Sequence, residues 1–161
     1  MKKIILLSAI AFGFFGCKKE GAGGTKPILT FKSVTMEDVP VEVEQVEFYF
    51  NLQDGDGDTE GNLYFLDLYR MDTATDNGTR DPYEFIKMPS LEIHKGTKIN
   101  AELTLIMGDA SDQTFIRLRQ FGSGNPPPNK VDTSQLKVFI KDNAGNSSDT
   151  LLLPKVAIHF P

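Results

Sequence analysis

The chain has 161 residues, 17 basic and 22 acidic, a net charge of −5 and one cysteine, Cys17. A single cysteine excludes an intramolecular disulfide and a cysteine-based metal site, and an acidic balance without a basic patch excludes nucleic acid as a partner. The length suits one domain that can bury a core without covalent staples.

The chain opens with Met1-Lys2-Lys3, a predominantly apolar stretch over 4–15, then Gly16 and Cys17, and turns polar at Lys18-Lys19-Glu20. As a helix, the apolar stretch would cover about 18 Å, too short for a hydrocarbon core of roughly 30 Å. The layout is that of a secretory signal over residues 1–16. Phe14-Phe15-Gly16-Cys17 resembles the lipobox of bacterial lipoproteins, and departs from the common Leu-Ala-Gly-Cys form by carrying Phe at its first two positions. Phe-rich variants of this kind resemble those of Bacteroidota. The resemblance implies cleavage before Cys17, acylation of the Cys17 thiol with palmitate-type chains, and anchoring to a membrane. More than one acyl chain is needed for stable anchoring, and the modification of such lipoproteins supplies that. With its thiol acylated, Cys17 is excluded from catalysis. Lys18 in place of Asp after the acylated cysteine implies the outer membrane, on either face. Loss of Lys2 and Lys3 takes the net charge from −5 to −7.

Residues 17–27 are polar and glycine-rich and read as a flexible tether behind the lipidated cysteine. From residue 28 to 161 the pattern is β throughout, and no window keeps a 3.6-residue period over a helix length. Strands are expected at 28–34, 41–52, 63–71, 83–88, 99–107, 114–121, 136–141 and 150–160. In 41–52 the alternation changes phase at Glu44-Gln45: Val41 and Val43 first, then Val46, Phe48, Phe50 and Leu52. That shift predicts a bulge or bend. Ala101, Leu103 and Leu105 alternate with Glu102 and Thr104. Pro154 predicts an edge or a break in the last run. Short strands without intervening helices predict antiparallel pairing and a β-sandwich of seven or eight strands, with a closed barrel as the alternative.

Val138-Phe139-Ile140-Lys141-Asp142-Asn143-Ala144-Gly145-Asn146 resembles the final strand pair of bacterial immunoglobulin-like domains, with its D-x-A-G-N turn and a Gly145 free to take positive φ. Together with the lipobox and an Asp-Gly-Asp-Gly-Asp segment, it resembles a group of small Bacteroidota membrane lipoproteins. The resemblance implies an immunoglobulin-like sandwich and an address in the cell envelope, and carries no activity with it.

The sharpest local feature is Asp54-Gly55-Asp56-Gly57-Asp58-Thr59-Glu60. Carboxylates at alternate positions with glycines between them can fold around one hard cation, and calcium takes six to eight oxygens. Asp54, Asp56, Asp58 and Glu60 are therefore candidate calcium ligands, since four like charges so close together repel unless neutralised. The EF-hand pattern fails: its Gly position is Thr59 and its bidentate Glu position is Phe65. Further ligands must come from elsewhere, and Asp142 and Asn146 qualify only if their loop shares one end of the domain with this one. A polar turn without metal uses the same residues.

His94 and His159 have no ligand pattern around them. Gly122-Ser123-Gly124 lies before a proline run and not on a strand-to-helix elbow. With no tryptophan, Tyr49, Tyr64, Tyr69 and Tyr83 are what remains for sugar stacking. The expectation is a non-enzymatic, membrane-anchored binding or accessory module, stabilised by calcium, with an envelope protein or glycan as partner. The alternatives are a glycan-binding module and a small carboxylate-dependent glycan hydrolase.

Overall fold

The computed structural model of the chain describes residues 24–59, 61–69, 83–89, 96–108, 116–119 and 131–161. Residues 1–16, expected to be the signal segment, together with Cys17, Glu60, His94 and Ser123 lie outside the described residues, as does half of the strand expected at 114–121. Eleven strands are described: β1 Ile28–Val34, β2 Asp38–Val39, β3 Gln45–Asp54, β4 Asn62–Asp67, β5 Glu84–Lys87, β6 Ile99–Gly108, β7 Ile116–Arg117, β8 Val131–Ser134, β9 Leu136–Lys141, β10 Leu151–Leu152 and β11 Val156–His159. There is no helix among the described residues, hence none long and apolar enough to cross a membrane.

The strands form three open sheets, ordered β1-β3-β6-β7, β10-β9-β4-β5 and β2-β11-β8. Alternation explains how the first two share a core. Val46, Phe48, Phe50 and Leu52 of β3 are buried, as are Leu63 and Phe65 of β4 and Leu136, Val138 and Ile140 of β9, all within one cluster. Each set repeats at period two, which places it on one face of its sheet. The all-β, mainly antiparallel arrangement is consistent with a sandwich, and no barrel closes among the described residues.

The third sheet continues the second. Only Gln135 separates β8 from β9, and Leu153–Lys155 separate β10 from β11. The break on the second strand falls at Pro154, which has no N–H to donate. The Leu153 N–H still donates to the Leu136 carbonyl at 2.9 Å, so the ladder is bridged. One long hairpin thus passes between two sheets.

The structure differs from the sequence expectation in three places. Eleven strands are described where seven or eight were expected, and β2 and β8 fall outside every expected strand. Pairing is not wholly antiparallel: β11 runs parallel to β2 and β6 parallel to β7. β2 is two residues long, too short to leave a pattern in the sequence, and β7 falls within the strand expected at 114–121, whose alternation does not encode the direction of pairing. The strand expected over 41–52 begins only at Gln45. Val41 and Val43 lie in a turn closed by the Val43 N–H on the Pro40 carbonyl at 3.2 Å. The phase change at Glu44-Gln45 marks the start of the strand.

Candidate metal centre

β3 ends on Asp54, and the parity of that residue defines the site. The alternation that buries Val46, Phe48, Phe50 and Leu52 carries Asp54 to the same face, where it is 1% exposed. A buried carboxylate is unfavourable by several kcal/mol unless paired, hydrogen-bonded or bound to a cation. Thr59, fully buried, donates its hydroxyl to Oδ2 of Asp54. Oδ1 of Asp54 is buried without a hydrogen-bond partner, and so are Oδ1 of Asp56 and Oδ1 of Asp58. The three residues each present a carboxylate oxygen, all within 4.8 Å of one another.

The backbone brings them together by turning back at Gly57, whose φ of 71° is left-handed and open to glycine at little cost. Three segments then pin the loop. The Asp56 carbonyl accepts from the Gly96 N–H at 2.7 Å, ahead of β6. The Asp58 carbonyl accepts from the Asn143 N–H at 3.1 Å, in the turn after β9. The Gly61 carbonyl accepts from the Met88 N–H at 3.2 Å, after β5.

The turn at 142–146 is rigid for its own reasons. Asp142 accepts from the Asn146 N–H at 2.7 Å and from its side-chain amide at 2.9 Å. Gly145 takes φ 92°, and its N–H donates to the Asp142 carbonyl at 3.2 Å. The Asn146 amide also donates to the Thr25 carbonyl at 3.1 Å, and Lys26 pairs with Asp149 at 2.7 Å. The acidic loop, this turn and the residues just ahead of β1, Thr25 and Lys26, therefore meet at one end of the described sheets. The condition that the sequence set for Asp142 to approach the acidic loop is met.

The electrostatics follow from that crowding. Burial pushes the Asp56 carboxyl above its ordinary value, and Asp54 beside it adds to the rise. Burial also raises Asp58, with Asp142, then Asp56 and Asp54, contributing as like charges. Two hydrogen-bonded carboxylates, Asp54 and Asp142 (5% exposed), thus flank two whose charge is disfavoured. Clustered hard oxygens without donors are what calcium and similar cations require. The arrangement is not an EF-hand, since its first member is a strand residue and Phe65 packs in the core.

Of the candidate ligands, the structure brings Asp54, Asp56 and Asp58 together, and Glu60 lies outside the described residues. Thr59 was not foreseen, because a threonine in a polar loop gives no sign that it is fully buried. The remaining candidates are engaged elsewhere. His159 pairs with Asp38 at 2.7 Å on the surface. Tyr49 donates to Glu47, and Lys155 lies 5.2 Å over the Tyr69 ring. Phe85, Tyr64 and Phe139 sit directly opposite one another across β5, β4 and β9. Tyr64 stacks on Phe139 at 4.8 Å and Tyr83 meets Phe139 edge-on at 5.1 Å. These rings spend much of their surface on one another, and Phe85, 61% exposed, is the one turned outward.

No protein-family model matches the chain, and neither curated proteins nor solved structures give a significant match.

Proposed function

We propose that the protein is a lipid-anchored, non-catalytic binding or accessory module of the bacterial outer membrane, an immunoglobulin-like sandwich on a short leash. The observation that carries the reading is the run Phe14-Phe15-Gly16-Cys17 between an apolar stretch and a polar, glycine-rich segment. Seven residues lie between Cys17 and Thr25, whose carbonyl already belongs to the domain through Asn146. Fully extended, that span is at most about 29 Å, so the anchor would hold this end of the domain close to the headgroups.

The immunoglobulin-like reading draws support from the path of the first strands. β1 pairs with β3 in one sheet, and β2 then pairs in parallel with β11, the last strand. A leading strand divided between the two sheets of a Greek-key sandwich fits that fold. The buried acidic cluster favours a module over a glycan hydrolase. Asp54 is closed from solvent and the carboxylate oxygens converge on one point, whereas hydrolysis needs two carboxyls facing each other across a sugar.

Expression of the full-length protein and its Cys17→Ser variant, with fatty-acid labelling and membrane fractionation, tests the anchor. The wild type should take up label and sediment with outer membrane, and the variant should do neither. Equal membrane retention of the variant, or an unlabelled wild type, refutes it.

A further inference from the structure

We infer that Asp54, Asp56 and Asp58 form a site for a calcium-class divalent cation, and that the bound ion locks three chain connections together at the end of the domain where the tether enters. The inference stands on the described site and does not depend on the lipid anchor. An acidic loop alone would not carry it, because solvated Asp and Gly residues make ordinary turns. What carries it is the placement of Asp54. This carboxylate occupies a core-facing position of a regular strand, is 1% exposed, and leaves Oδ1 without a donor. Among the described residues, the Thr59 hydroxyl donates to the other oxygen. The Oδ1 atoms of Asp56 and Asp58 are buried and unpartnered in the same way. A fold that gathers three unsatisfied anionic oxygens within 4.8 Å has made a site complementary to positive charge.

The ligand chemistry selects the ion. All donors are hard oxygens, which excludes the thiolate and imidazole preferences of zinc and copper. The loop glycines and the irregular backbone suit the flexible six-to-eight-oxygen shell of calcium better than the strict octahedron of magnesium. Waters and the second oxygens of the carboxylates can complete the shell. Asp142 adds a nearby negative charge, felt at Asp58. Both of its oxygens are held by Asn146, so it acts as a positioning residue beside the ligands.

The consequence is mechanical. The ligand-bearing loop is already tied to the turn before β6 through Gly96, and to the turn after β9 through Asn143. The second turn holds Thr25 through Asn146. Neutralising the carboxylates removes the repulsion that pushes this loop away from Asp142. An ion here therefore tightens the acidic loop, the 142–146 turn and the base of the tether as one unit.

The test uses the full-length protein, purified in detergent and stripped with chelator. Calorimetric titration with calcium chloride should show one equivalent bound. Saturating calcium should raise the melting temperature by about 5–10 °C, and exchange of the Gly96 and Asn143 amides should slow at least tenfold. Magnesium chloride should bind at least tenfold more weakly. Asp54→Asn should abolish the calcium response. If that variant does not fold, Asp56→Asn, at a less buried ligand, should weaken calcium binding at least tenfold. The inference is overturned by absence of heat and of a melting shift at millimolar calcium, by an equal response to magnesium, or by an unchanged calcium response in Asp56→Asn.

Discussion

Gly61→Ala tests the joint between the acidic loop and the final hairpin without any ion. A Cβ on Gly61 would lie 2.7 Å from the Lys141 carbonyl carbon and 3.2 Å from Cα of Asp142, and would collide with the Lys141 oxygen. Every one of these atoms is main chain, so no side chain can swing aside. The methyl group can be housed only by pushing the start of β4 off the end of β9, which breaks the Asn62–Lys141 register pair and strains the Met88 N–H bond to Gly61. Overpacking of this kind typically costs about 1–3 kcal/mol, and a lost hydrogen bond about 1 kcal/mol more. The sum is about 2–4 kcal/mol, a fall in melting temperature of about 8–15 °C for a domain of this size. Gly96→Ala is the control. Gly96 has φ 80° but nothing within 4 Å of its would-be Cβ, so only left-handed strain of about 1–2 kcal/mol applies. Thermal unfolding in chelator separates the two. If Gly61→Ala melts within two or three degrees of Gly96→Ala, the close approach of loop and hairpin is wrong. If it melts far below, the contact stands, and calcium affinity should fall with it because the ligand loop has lost its backing.

The sheet strands were legible because period-two burial is written in side-chain type: Phe48 and Phe50 against Glu47 and Tyr49 admit one register. The same rule extended by one step would have placed Asp54 inside. A carboxylate after a run of buried apolar residues reads as the start of a loop, and only the ladder from Gln53–Asn100 to Asp54–Ile99 keeps it in the strand. The parallel partner β2 carries no such code, since two residues make no period, and the alternation that marked the strand around β7 says nothing about the direction of its pairing. Proximity of Asp58 to Asp142 was readable only as a condition, for it depends on two loops 84 residues apart in sequence meeting at the same end of the sheets. Turn chemistry at Gly145 was local and therefore visible, and its positive φ is found.

Arg119→Lys tests a tie at the other loops. The Arg119 guanidinium donates to the carbonyls of Val43, Pro40 and His159 at 2.9, 2.8 and 3.0 Å. A lysine ammonium keeps the charge but cannot span that fork, so the variant should lose about 1–3 kcal/mol, read as a lower urea midpoint. An unchanged midpoint refutes the tie. Asp58→Asn should have the opposite sign. The carboxylate oxygens lie within 4.8 Å of one another, and two unit charges at that outer limit repel by about 1 kcal/mol in water and by about 3.5 kcal/mol at an effective dielectric of 20; Asp58 is half-buried, which favours the lower figure. In chelator the variant should therefore melt a few degrees above wild type, and its calcium response should be lost. The pH dependence follows from the raised Asp56 and Asp58 carboxyls. A carboxyl whose folded pKa is raised binds its proton more tightly in the folded state. Its stabilising contribution is fully present below the ordinary value near 3.9 and is lost as pH rises through the folded value. In chelator, the advantage of Asp58→Asn over wild type should accordingly shrink as pH falls from 7 toward 4, because the wild type gains by protonation what the variant has by substitution. In saturating calcium the order reverses, since protons displace the ion from wild type alone. A difference between the two proteins that stays constant with pH in chelator would mean that Asp58 carries no unrelieved charge, and the case for a cation there would go with it.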